Sequence, residues 1–159
     1  MIKELTTENE IDNSLVIIRN SFKTVADKFN LTPANCPTHP SFMKYEDLNS
    51  LKKPGVNFFG LFDNGIHAGF ILTEKSDNDV FYIEKLSVLP EYRNNGYGTE
   101  LVRHAIEFIR DMNGKKVSIG IINEDTVLKK WYCGLGFNEV ATRHYDHLPF
   151  TVCFMEKKL

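Results

Sequence analysis

The segment best suited to do chemistry in this sequence is a glycine-rich turn between a predicted strand and a predicted helix. Its pattern is Arg93-x-x-Gly96-x-Gly98. Glycine permits a positive φ and lets the backbone come close to a ligand. The N–H groups and the positive end of the following helix attract negative charge, and Arg93 adds a cation. The turn is therefore suited to a pyrophosphate, and a simple strand-to-helix connection is the alternative interpretation.

The elements on either side place this turn at the end of a strand. Residues 82–88 are rich in aromatic and branched side chains, as in a buried strand, and Pro90 ends their pairing. Residues 99–112 carry apolar side chains on one helical face and charged ones on the other. The turn has neither the G-K-[ST] ending of a P-loop nor the G-x-G-x-x-G of a dinucleotide site, which argues against ATP and NAD.

Two segments together resemble the GNAT superfamily of N-acyltransferases. The run from Val88 to Gly98 is similar to the family's acetyl-CoA signature, [QR]-x-x-G-x-[GA] with a V-x-P-x-[YF] approach. Asn123-Glu124-Asp125, followed by the run from Trp131 to Phe137, is similar to the downstream block, in which a helix ends in a Tyr and x-x-x-G-F follows. The two blocks stand in the expected order and separation, and the resemblance covers about residues 56 to 159.

The resemblance implies an α/β (α+β) acyl-CoA N-acyltransferase fold, with a mixed, mostly antiparallel central sheet flanked by helices. The predicted element order, ααββββαβαββ, is close to it, with the fourth strand of the first run expected from a lengthened member of the hairpin pair. Thr7-x-x-Glu10 predicts a capping box that starts a first helix of about five turns, and Asn64-Gly65 predicts a hairpin. Further helices are predicted at 43–52, 99–112 and 124–133, and strands at 56–62, 66–73, 82–88, 117–121, 137–145 and 150–157. Residues 1–159 are expected to form a single N-acetyltransferase domain.

The resemblance also assigns residues to acetyl-CoA as co-substrate. Leu86 and Val88 are assigned to the pantetheine arm, which pairs with this strand like an added strand, and to the acetyl group, whose carbonyl a backbone N–H there polarises. Asn123 or Asp125 would add a contact, although each is also an ordinary helix N-cap residue. The residues expected to line the pyrophosphate are Arg93, Asn94, Asn95, Gly96, Tyr97, Gly98 and Thr99.

Acetylation of an amine needs a neutral nucleophile and an acid for the departing thiolate. Tyr132 matches the family's thiolate-protonating tyrosine, and packing beside Trp131 is the alternative. Glu84 is the general-base candidate, because alternation along a strand places it on the same face as Leu86; an ion pair or a water-orienting role is the alternative. Tyr82 matches the position where several relatives carry the base, and we assign it to substrate binding.

The histidines indicate an acceptor pocket more than a metal site. Cys36 and His39 have the spacing of a metal pair, but no second pair exists, so no metal is expected. In similar folds the segment after the first helix and the last hairpin flank the acceptor pocket. This assigns His39 and His144 to substrate binding, with placement on the surface as the alternative.

Composition limits the partners and the compartment. Lys and Arg number 19 against 21 Asp and Glu, for a net charge of −2, so nucleic acid is not expected as a partner. The sequence has no long apolar run and no secretory signal at its start, so neither a membrane partner nor export is expected. Three widely spaced cysteines are typical of free thiols in the cytoplasm. A monomer or a homodimer is expected.

These observations predict an enzyme. The expected activity is transfer of the acetyl group of acetyl-CoA to a primary amine of a small molecule or peptide, by direct attack in a ternary complex. The alternative is a non-catalytic acyl-CoA-binding sensor or interaction subunit with the same fold. The presence of Glu84 and Tyr132 favours the enzyme.

Overall fold

The computed structural model describes residues 1–159 and contains one seven-stranded sheet with helices on both faces. The strands are β1 (Ile2–Glu4), β2 (Val56–Asp63), β3 (Ile66–Lys75), β4 (Val80–Val88), β5 (Lys116–Ile122), β6 (Asn138–His144) and β7 (Thr151–Lys158). The α-helices are α1 (Glu8–Phe29), α2 (Tyr45–Ser50), α3 (Tyr97–Asp111) and α4 (Thr126–Gly134). The strand order is β1-β2-β3-β4-β5-β7-β6, and only the β4–β5 pair is parallel. The mixed, mostly antiparallel sheet is thus confirmed.

Local sequence signals start and end the elements as predicted. The Thr7 hydroxyl accepts the N–H of Glu10, and the Glu10 carboxylate accepts the N–H of Thr7, which confirms the capping box. The ion pair with Lys3 and these backbone donors lower the pKa of Glu10 to about 2. Asn64 and Gly65 both have positive φ, 48° and 81°, and form the tight turn between β2 and β3.

The first strand and the start of α3 differ from the prediction. One strand was predicted in the wrong place: β1 precedes α1 and pairs with β2, so only β2 to β4 run consecutively before α3. A strand of three residues is too short to show an alternating pattern. In addition, α3 begins at Tyr97, two residues earlier than predicted, so Gly98 lies inside the helix and has no positive φ.

Two hydrophobic cores sandwich the sheet. The larger core lies between the sheet and the helices α3 and α4, and it includes Phe81 and Ile83 of β4. The second core lies on the opposite face, where Ile18 of α1 and Leu48 of α2 pack on the sheet. None of the helices is both long enough and apolar enough to cross a membrane.

The parallel strands β4 and β5 separate in the middle of the sheet. They pair only where residues 80–82 lie beside residues 116–118. Beyond that point no register joins them, although both strands continue to Val88 and Ile122. The carboxyl-terminal ends of β4 and β5 therefore diverge and leave a gap between them. The backbone N–H and C=O groups that border this gap do not pair across it with the other strand.

Candidate active site

A cavity of about 900 Å³ occupies the gap between β4 and β5. Its walls come from both faces of the sheet, with Phe22 of α1 on one side and Trp131 of α4 on the other. The cavity therefore passes through the sheet. Every site residue predicted from the sequence lines it except Asn95, Asn123 and His144.

The glycine-rich turn has a row of unused donors, and all of its residues from 94 to 99 except Asn95 line this cavity. The backbone N–H groups of residues 94–99 have no hydrogen-bond acceptor within the protein. Gly96 is the N-cap of α3, with φ of 81°, and provides no capping side chain. Asn95 instead shapes the turn, because its side-chain amide donates to the carbonyl groups of Tyr92 and Arg93. Free N–H groups at the start of a 15-residue helix form an anion site.

The Arg93 side chain points away from this row of donors. Its Nε donates to the Val88 carbonyl at 3.2 Å, and its two terminal nitrogens donate to the Thr24 hydroxyl at 3.0 Å and the Ser21 carbonyl at 2.9 Å. The predicted direction of the guanidinium, toward a pyrophosphate, thus differs from the structure. Arg93 lines the cavity but holds the glycine-rich turn against α1.

A β-bulge changes which side chains of β4 share a face. Lys85 has φ of 56°, and at this point two residues of β4 oppose a single residue of β3. Before the bulge, Glu84 lies opposite Leu72, which belongs to the α1-side core. After it, Leu86 and Val88 pack against the α3-side core. The prediction that Glu84 shares a face with Leu86 and Val88 is therefore wrong, and the carboxylate lies on the α1 side.

Tyr132 is the buried member of the Trp131-Tyr132 pair. Its side chain is enclosed edge-on by Trp131, with ring centroids 4.8 Å apart, and by Phe137 at 5.4 Å. The phenol lines the cavity, and its hydroxyl makes no hydrogen bond within the protein. Burial raises the pKa of Tyr132 above its ordinary value, so the phenol is protonated at neutral pH. A protonated hydroxyl without a partner is available to donate a proton into the cavity.

Carboxylates lie on the α1 side of the cavity. Glu84 forms an ion pair with Lys85 at 3.4 Å, and 38% of its side chain is exposed. Glu74, on the neighbouring strand, pairs with Lys53 at 2.7 Å. Tyr82 lies beside Glu74 in the strand register and also lines the cavity. The two carboxylates and the phenol thus border one end of the gap.

His39 is a neutral wall residue of the same α1 side. Its Nδ1 lies 2.7 Å from the Ser41 hydroxyl, and its ring packs edge-on against Phe22. Burial, together with the positive charge of Lys85, lowers the pKa of His39 to about 4. The imidazole is therefore uncharged at neutral pH, and it lines the cavity where the sequence predicted an acceptor wall.

Of the site residues predicted near α4 and the last hairpin, one lines the cavity and two do not. Asp125 lines the cavity, caps α4 by accepting the N–H of Leu128 at 3.1 Å, and pairs with Lys28 at 3.4 Å. Asn123 lies outside the cavity, and its amide oxygen accepts from Lys129. His144 lies at the exposed end of the edge strand β6 and does not reach the cavity.

The sequence did not reveal the aromatic lining on the α1 side. Phe22, Phe150 and Phe154 all border the cavity. In the sequence, Phe22 belongs to the apolar stripe of a helix and the other two to a strand, which is also the pattern of an ordinary core. These residues line a cavity instead of a closed core because β4 and β5 diverge, and the sequence pattern does not show that divergence.

Comparison with known families decides the broad identity. Residues 23–137 match the family model described as the acetyltransferase (GNAT) family. The chain belongs to the GNAT acetyltransferase family. It is accordingly a transferase that uses acetyl-CoA. A sequence comparison with curated proteins finds no match.

Solved structures agree with this assignment at the level of the fold. The ribosomal-protein-S18-alanine N-acetyltransferase of Escherichia coli is 18% identical to this GNAT acetyltransferase, with a TM-score of 0.77 over 99% of this chain and 92% of that one. The PaiA N-acetyltransferase of Thermoplasma acidophilum, in complex with coenzyme A, is 17% identical, with a TM-score of 0.75 over 100% and 99%. An aminoglycoside 6'-N-acetyltransferase complexed with coenzyme A is 15% identical, with a TM-score of 0.73 over 99% and 96%.

Proposed function

We propose that this acetyltransferase transfers the acetyl group of acetyl-CoA to a primary amine of a small molecule or peptide, by direct attack in a ternary complex. The observation that carries the proposal is the cavity through the sheet. One end has the unused N–H groups of residues 94–99, and the other has the carboxylate of Glu84. Two ligands that enter from opposite faces can meet in the gap between β4 and β5.

The α3 side of the cavity fits acetyl-CoA. The free N–H groups of residues 94–99 match the anionic pyrophosphate. The part of β4 that follows the bulge is not paired with β5. Its backbone groups on that edge can form hydrogen bonds with the amides of a pantetheine arm, as with an added strand. Leu86 and Val88 lie at that edge and line the cavity. When bound there, acetyl-CoA supplies the acetyl thioester, and the buried Tyr132 lies on the same side.

The reaction needs one proton removed and one supplied. The amine nitrogen bonds to the acetyl carbon as the carbon–sulfur bond breaks. Glu84, on the acceptor side, holds the proton that the amine loses, directly or through a water molecule, and Tyr132 gives its proton to the sulfur. Exchange with water restores both side chains. The products are an amide and coenzyme A, so atoms and charges balance.

Glu84→Gln is expected to lower kcat/KM most at low pH. A primary alkylamine has a pKa near that of lysine, about 10.4, so most acceptor needs deprotonation at neutral pH. Above about pH 10 the free amine is abundant and the deficit should shrink. A pH profile of kcat/KM for the amine, measured by thiol release, makes this comparison, while calorimetry should show unchanged acetyl-CoA affinity.

Glu74→Gln is the matched control for this prediction. It removes the other carboxylate near Tyr82, which Lys53 holds at 2.7 Å, and should leave the shape of the pH profile unchanged. A uniform loss at all pH values in Glu84→Gln would indicate a positioning or stability role. Wild-type rates at low pH in Glu84→Gln would remove Glu84 from the mechanism.

A further inference from the structure

The α1 side of the cavity forms a chamber with aromatic walls and a small-residue floor. We define the acceptor chamber as the space bordered by Phe22, His39, Tyr82, Gly120, Phe150 and Phe154. Gly120 of β5 lies opposite Phe154 of β7 in the sheet register. A Cβ atom at position 120 would lie 3.7 Å from the Phe154 ring and 3.6 Å from Val152, so the missing side chain leaves space beside that ring. This space suits an apolar group.

The carboxylates around the chamber already have partners. Glu74 pairs with Lys53 at 2.7 Å, and Glu84 pairs with Lys85 at 3.4 Å. At the far end of the cavity, Asp125 pairs with a lysine of α1 at 3.4 Å. A ligand with several ammonium groups would have to compete with a lysine for each carboxylate, or bury charge without a partner. Of the two carboxylates beside the chamber, Glu84 has the longer ion-pair distance, so the chamber offers a place for one amine there.

Two segments pack on a small hydrophobic cluster beside the chamber. A small hydrophobic cluster of Ala26, Leu31 and Cys36 packs against Phe42 on the loop after α1 and against Phe150 beside the last hairpin. Both segments thus pack on one cluster on the α1 side of the sheet, and Phe150 also lines the chamber.

Resting on the proposed function, we propose that the acceptor is a small monoamine with an apolar body about the size of a phenyl ring. The ring occupies the space between Phe154 and Phe22, and the amine meets Glu84 at the gap between β4 and β5. Apolar contact with these rings supplies the binding energy, because removing apolar surface from water is favourable. Polyamines, aminoglycosides and peptides are then poor acceptors.

The test is an acceptor panel assayed by thiol release from acetyl-CoA. It compares 2-phenylethylamine with spermidine, an aminoglycoside and an apolar tripeptide. We expect 2-phenylethylamine to have a kcat/KM at least about tenfold above the others. A preference for spermidine or the aminoglycoside, or for the tripeptide, would overturn the monoamine assignment while leaving N-acetyl transfer intact. Acetylation of none of the amines would overturn the proposed function as well.

Two variants locate the apolar contact. Phe154→Ala should raise the KM for 2-phenylethylamine about tenfold or more and leave the KM for acetyl-CoA unchanged, and Phe154→Leu should restore part of the loss. Phe62→Ala is the control, because Phe62 is an aromatic residue that stacks on His67, outside the cavity. Calorimetry on the coenzyme A-loaded protein should show the same order of amine affinities. An unchanged KM in Phe154→Ala would place the acceptor elsewhere.

Discussion

Replacing Tyr132 with phenylalanine is expected to lower kcat by about 10²- to 10⁴-fold, the usual contribution of a positioned general acid. The substitution removes one hydroxyl that has no hydrogen-bond partner in the protein, and it keeps the ring between Trp131 and Phe137. Acetyl-CoA affinity and thermal stability should therefore stay close to those of the wild type. Steady-state kinetics with calorimetry and a thermal unfolding scan measure the three quantities.

The raised pKa of Tyr132 gives this prediction a second readout. Because burial keeps the phenol protonated, loss of its proton should not limit kcat below about pH 10. Tyr45→Phe is the control, since Tyr45 is an exposed tyrosine outside the cavity and its replacement should leave kcat unchanged. Full turnover in Tyr132→Phe, with the chemical step shown to limit the rate, would assign Tyr132 to packing alone.

Gly96→Val is expected to weaken acetyl-CoA binding by at least about tenfold. Gly96 has φ of 81°, which a β-branched residue adopts only with strain. Its N–H has no acceptor in the protein, and the residue lines the cavity. Hydrogen bonds to a charged group contribute about 1.5 to 3 kcal/mol each, so displacing even one donor accounts for this loss. Calorimetric titration with acetyl-CoA measures it.

The hairpin turn provides a matched control for Gly96→Val. Gly65 also has φ of 81°, and a Cβ atom at either position meets no atom within 4 Å, so the two substitutions impose a comparable backbone strain. Only Gly96 lies on the cavity. Gly65→Val should therefore lower stability to a similar degree and leave acetyl-CoA affinity intact. Equal affinities in the two variants would contradict the assignment of the pyrophosphate to this turn.

Features encoded by neighbouring residues could be predicted from the sequence. The capping box of Thr7 and Glu10 and the Asn64-Gly65 turn each depend on residues at most three positions apart. The turn around Gly96 follows the same logic, because a strand, a glycine at positive φ and a helix start are adjacent in the chain. These local rules, with the family resemblance, predict the sheet type and the glycine turn at the start of α3.

Features that depend on distant contacts could not be predicted in this way. Nothing in the side chain of Lys85 marks it for a positive φ, yet its bulge places Leu86 on the face opposite to Glu84. Arg93 binds Thr24 and Ser21, residues that lie 69 and 72 positions earlier. The short strand β1 is defined by its partner β2. Each of these depends on packing that the periodicity of a single segment does not contain.

The most direct test of direct transfer across the sheet is an initial-rate matrix of thiol release, with acetyl-CoA and 2-phenylethylamine both varied. A ternary complex predicts intersecting double-reciprocal lines and an amide product detected in equal amount to the coenzyme A released. It also predicts no acetylated protein by mass spectrometry when the amine is left out. Parallel lines with an acetylated protein would contradict the account, as would thiol release without an amide product.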